Sequence, residues 1–199
     1  MSRRAEIVPA CTAGVALALM SGASVWSAWA LRGPLGQEFG WSNAALAAVA
    51  ALSLVVTLSL LPRTLPLVRL AGVRAAITAG CLLGGLIALL ALPNLTHLWQ
   101  FGTSLALLGV PRSWVLAGAW VQLRQALRVR VAWLALLASL LAGLGGVTPW
   151  ISQIVYRNSW REGVAACAGL LLLIATPLAY VLLPGREQRC RDASSNRPS

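Results

Sequence analysis

The sequence predicts an all-α membrane protein, a polytopic bundle of six transmembrane helices, and three observations carry that reading. Its 199 residues are 58% hydrophobic and 11% charged, with a mean hydropathy of +0.76, too apolar for a soluble domain of this size. The apolar residues gather in uncharged runs such as Ala44 to Leu61 and Ala75 to Leu92, each long enough to cross hydrocarbon. The basic residues are all arginine, and most fall at the ends of those runs.

Net charge is +11, which in a soluble protein would raise nucleic acid as a partner. Here the arginines mark helix ends rather than a groove, so the bilayer is the partner and nucleic acid is not. Cys11, Cys81, Cys167 and Cys190 are widely spaced with no C-x-x-C pair, and the first three read as small apolar helix residues.

Taken in order, the first span runs from about residue 8 to 31. Arg3 and Arg4, Cys11 to Met20 and Ala28-Trp29-Ala30 also have the parts of a signal peptide. The uncharged run continues to Arg32, with Trp26 and Trp29 near its far end, which suits a spanning helix better. A loop from Arg32 to Asn43 follows, rich in glycine and carrying Glu38, and Ser42 or Asn43 caps the second span, 44–61. Pro62 to Arg74 is a short basic turn. The third span, 75–92, repeats small residues at Ala76, Gly80 and Gly84, a spacing that admits a close neighbour. Pro93-Asn94 breaks the chain before the fourth span, 99–123. A second basic turn leads to the fifth, 131–156, with a small-residue seam at Ala138, Ala142 and Gly146 and a kink expected at Pro149. The sixth span is 163–183, and residues 184–199 form a polar tail of the kind that stays disordered.

Arginines weight one side heavily. The amino terminus, the turns after spans two and four and the tail hold all but Arg32, Arg157, Arg161 and the intramembrane Arg112. Both termini are therefore expected in the cytoplasm, with the chain multi-pass in a bacterial-type inner (plasma) membrane.

Little in the chain could do chemistry. No span contains Asp or Glu, and the one histidine, His97, sits at an interface. Gly102-Thr103-Ser104-Leu105 lacks the second glycine of a nucleophile elbow. The expectation is no enzyme, no metal and no cofactor. Arg112 is the exception inside the membrane. A guanidinium at mid-span costs at least about 2.5 kcal/mol on insertion scales, so it should face the bundle interior or a water-filled cavity. Its fork of donors suits a carboxylate, whereas the structural alternative has it bonding backbone carbonyls. Trp29, Trp41, Trp99 and Trp160 lie near span ends as interface anchors, while Trp26, Trp114 and Trp120 lie deeper and are candidates to line a solute path or to pack between helices.

The order of parts is a familiar one: an outer loop ending FGWSNAAL, the turn R-L-A-G-V-R, the outer break P-N-L, a glycine-rich fifth span with a proline, and N-S-W-R-E-G before the sixth. Over residues 8–183 this resembles the amino-terminal half of a major facilitator superfamily transporter, with the FGWS run similar to the branch of oxalate/formate exchangers and monocarboxylate carriers. The resemblance implies alternating-access transport of a small solute. It also implies a gating turn between spans two and three, which Gly72 and Arg74 match. Arg69 stands where the family has the acidic residue of a charge latch, and Leu65 replaces an earlier glycine. Such carriers have two six-helix halves, so the resemblance implies a second half or a homodimer partner. The other reading is a non-transporting subunit or a truncated carrier remnant that binds a partner through its helix faces.

Overall fold

The computed structural model describes residues 4–29 and 31–185, with side chains described for 7–23 and 31–185. Among these residues every regular element is helical. Seven helices follow one another: α1 (Arg4–Trp29), α2 (Arg32–Phe39), α3 (Asn43–Ala71), α4 (Val73–Leu90), α5 (Leu98–Ala126), α6 (Val129–Arg157) and α7 (Trp160–Leu182). The last five are each long and apolar enough to cross a membrane. In α1 the described apolar segment is Ile7–Ala23. Residues 186–199, where the polar tail is expected, lie outside the described residues.

The glycine-rich segment expected to be a loop is partly helical. Pro34 stands in the first turn of α2, where its missing N–H is not needed, and Gly40 ends the helix at φ 69°, donating its N–H to the Gly36 carbonyl. Ser42 caps α3 as expected, its Oγ accepting from the Ala45 N–H at 3.2 Å.

The basic turn is shorter than the sequence suggests. α3 continues through Pro62 and Pro66 to Ala71, and the reversal falls on Gly72 alone, whose φ of 96° and ψ of 148° no other residue adopts cheaply. The two prolines lie four residues apart on one exposed face. At 29 residues the helix is about 43 Å long, more than the roughly 30 Å of a bilayer's hydrocarbon.

α5 is the centre of the bundle, packed against α3, α4 and α1. Most of the other contacts follow a pattern. Exchanging α1, α3 and α4 for α5, α6 and α7 carries α1–α6 into α5–α3, α1–α7 into α5–α4, α1–α3 into α5–α6 and α3–α4 into α6–α7. It leaves α1–α5 and α4–α7 unchanged, while the α1–α4 contact has no comparable counterpart between α5 and α7. Glycines of the first helix in each triplet make the matched crossings. Gly14 and Gly22 of α1 meet Ser139, Gly143 and Val147 of α6, while Gly102 and Gly109 of α5 meet Val49, Ser53 and Val56 of α3. In both pairs the residue numbers rise together, so the paired helices run parallel.

Ala76, Gly80 and Gly84 of α4 are all buried, as their spacing suggests. Gly80 lies against the Pro111 carbonyl and Val115 of α5, and Gly84 against Met20 of α1. On α6 the expected seam is displaced. Ala138, Ala142 and Gly146 are exposed, and α1 is met instead by Ser139 and Gly143. The stripe that meets α1 is thus one residue further on, and it runs into a π-helical turn over Gly143–Val147, in which the Thr148 N–H donates to the Gly143 carbonyl five residues back. This wider turn directly precedes Pro149. α7 repeats the device: a π turn over Leu170–Ala175 precedes Pro177, and Thr176 gives both its N–H and its Oγ1 hydrogen to Leu171.

Candidate functional site

Arg112 is the fifteenth of 29 residues in α5 and is 7% exposed. The helix carries other enclosed polar groups, Ser104, Ser113 and Gln122, and Thr12 and Ser21 are buried on α1. Several of these hydroxyls are bonded within their own helix: Ser113 donates to Val110 at 2.7 Å and Thr12 to Val8 at 2.9 Å. Leu123 lies three turns beyond Arg112 on nearly the same stripe of α5. There it joins Ala126 and Leu127 along an apolar groove of about 480 Å³ whose other walls are Cys11, Gly14 and Ala18 of α1 and Ala135, Ser139 and Ala142 of α6. The face of α5 that holds the guanidinium is thus the face turned to the α1–α6 crossing.

Trp114 does not share that face. Two residues on from Arg112 it sits about 200° around the helix, where it lines a second groove of about 510 Å³ with Thr64, Val68 and Ala71 of α3 and Ala75, Ala76 and Ala79 of α4. The side chain of Trp26 lies outside the described residues. Among the gating-turn candidates, Arg69 is exposed on the last turn of α3, and Gly72 makes the reversal. Arg74 lies 4.1 Å from the Tyr180 ring centroid, which ties the turn to the end of α7. The structure therefore places Trp114 near the turn and Arg112 apart from both. Trp120, the remaining deep tryptophan, packs on Trp133 across the α5–α6 turn with ring centroids 4.4 Å apart.

A further constellation escapes sequence reasoning. Glu38, at the end of α2, accepts hydrogen bonds from the Trp160 indole N–H and from Arg161 at 2.8 Å, so α2 is clasped to the start of α7. The Trp160 bond, helped by the Arg161 charge, holds the Glu38 carboxyl below the usual carboxylate range. Around it Phe39 stacks on Trp41 at 4.7 Å and meets Trp160 edge-on at 6.5 Å, and Trp41 lies 6.1 Å from Phe101. Trp160, expected as an interface anchor, is 4% exposed. The available signal was charge: the segment before α3 carries Glu38, and the turn before α7 carries Arg157 and Arg161.

Among the described residues no cluster of His, Cys, Asp or Glu is arranged to hold a metal ion. Comparison with protein-family models, curated protein sequences and solved structures finds no match to this chain.

Proposed function

We propose that the chain is one six-helix half of a secondary transporter resembling the major facilitator superfamily. It moves a small anionic solute by alternating access, with Arg112 as the anion ligand, both termini in the cytoplasm and α1 as the sixth span. The observation that supports this is the exchange pattern of the helix contacts. Two triplets with an odd number of spans each must be inverted relative to one another, and inverted repeats are a common build of secondary transporters, which place their sites near the midplane where the repeats meet. The α1–α5 crossing is one of the two contacts that map onto themselves, and Arg112 sits halfway along α5 on the side turned to α1 and α6.

The test is uptake of small carboxylates by the full chain in liposomes. Arg112→Ala should abolish uptake while leaving the amount of protein in the membrane unchanged, and Arg112→Lys should restore only part, because an ammonium lacks the bidentate fork. Uptake indifferent to Arg112→Ala removes it from the site. The other reading, a non-transporting subunit or carrier remnant, draws on the open faces of α3 and α6, only 17% buried in their most apolar windows. Liposomes that take up no solute while the chain holds a partner would favour it.

A further inference from the structure

We infer that the α3–α4 turn is a binding site for one anionic phospholipid, seated with its headgroup at Gly72 to Arg74 and its two acyl chains in the grooves on either side. The argument starts from the shape. The groove of about 510 Å³ bounded by Thr64, Leu67, Val68 and Trp114 and a second of about 350 Å³ bounded by Arg74, Thr78, Leu82 and Tyr180 share Ala71, Ala75 and Ala79. A ridge of three alanines thus divides two apolar channels that meet at the turn. Both are open at the outer wall of the bundle, where Leu67, Leu70 and Leu82 are exposed, the first two by more than half.

The polar end of this double groove is positive. Arg74 lines the smaller channel, and Arg69 is exposed five residues earlier. Among the described residues the one ion pair is Arg161 with Glu38, at a different turn, so no carboxylate of the described residues pairs with either arginine. The Arg74 guanidinium is held in place against the Tyr180 ring. The first amides of α4 carry no capping side chain, which leaves the positive end of the helix facing the same point. The Thr78 hydroxyl, on the wall of the smaller channel, is buried with no hydrogen-bond partner. Positive charge, orphaned donors and paired apolar channels describe a diacyl anion, and a zwitterionic lipid would gain less from the same charges.

The inference does not rest on Arg112, because it concerns the outer wall and not that residue's face, although Gly72 and Arg74 also stand in the turn that the carrier resemblance reads as gating. Its test is native mass analysis of the full chain purified in detergent and offered dioleoyl phosphatidylglycerol, dioleoyl phosphatidylcholine or inorganic phosphate. One phosphatidylglycerol per chain should be retained in preference to phosphatidylcholine, and Arg74→Gln should lower that retention about tenfold, as loss of a charge-assisted contact of about 1.4 kcal/mol would. Arg128→Gln, at the other basic turn, should leave it unchanged. Ala75→Leu, which fills the ridge without touching the charge, should also lower it, and a Tm in lipid-free detergent equal to the parent's would show that the variant is folded. Equal retention of the two lipids, indifference to Arg74→Gln in a folded protein, or displacement by millimolar phosphate would each overturn the site.

Discussion

Gly143 and Gly146 lie three residues apart on α6 and differ in everything a methyl group would meet. A Cβ at Gly143 would lie 2.2 Å from the Ala18 carbonyl oxygen, which is backbone and cannot rotate away, whereas one at Gly146 meets nothing within 4 Å. Gly143→Ala must therefore push α1 off α6, at a cost of about 1–3 kcal/mol by the usual penalty for overpacking. Gly146→Ala should be neutral or slightly stabilising through helix propensity. Thermal unfolding in detergent separates them, and similar midpoints for the two variants would mean that the close crossing does not hold the helices. Glu38 makes a second residue-scale case, this time in pH. Its folded pKa lies below its ordinary value of 4.5, so its contribution to stability is complete above that value and is lost as pH falls through the lowered one. Between those limits the parent should lose stability on acidification while Glu38→Gln stays flat. Parallel curves would show that the clasp carries no folding energy.

At the scale of the element, what sequence reasoning could reach was periodicity and composition. The five helices long and apolar enough to cross a membrane, the Ser42 cap and the buried Ala76, Gly80 and Gly84 stripe all follow from local pattern. Proline and glycine are the residues whose local pattern differs most from the structure. Pro62 and Pro66 were expected to end α3, yet a helix longer than the bilayer carries both on an exposed face. Gly33, Pro34 and Gly36 suggested a loop but form a short helix with proline at its start and glycine after its end. Pro149 suggests a kink, and ahead of it lies a π turn that a 3.6-residue period cannot register; the stripe closest to α1 runs through Ser139 and Gly143, one residue on from the Ala138 seam. A π turn is one extra residue in an α-helix, and here it lets Pro149 stand inside a long helix without its ring striking the preceding turn. Deleting Gly146 should thus restore regular α geometry and leave Ile151 and Val155 in the core, but bring Pro149 into conflict with that turn at a cost of about 3 kcal/mol. The deletion combined with Pro149→Ala should regain most of that loss. If the two deletions unfold alike, the π turn serves something other than the proline.

For the whole molecule, the site was less legible than the fold because a site is an agreement among distant residues. Arg112 could be singled out by cost alone, but which helices it faces depends on the α1–α6 crossing. The Glu38 clasp joins residues more than a hundred positions apart. The exchange of triplets lies in the contacts and leaves no repeat visible in the residues. That same exchange pairs α3 with α6, and these are the two least covered spans, with Leu54, Val55 and Leu58 exposed on one and Leu134, Leu137 and Leu141 on the other. Alternating access needs a second wall facing the first, and those matched open faces are where the transport reading requires it. The prediction is a pair of copies, seen in native mass analysis as twice 20.9 kDa. In a cysteine-free background, Leu58→Cys or Leu137→Cys should cross-link two copies in the membrane, while Ile174→Cys on α7, also exposed, should not. Equal cross-linking from all three positions would indicate random collision in the bilayer. A monomer that still moves solute would overturn the two-copy pathway, because one half leaves its cavity open to lipid on the side where α3 and α6 are bare.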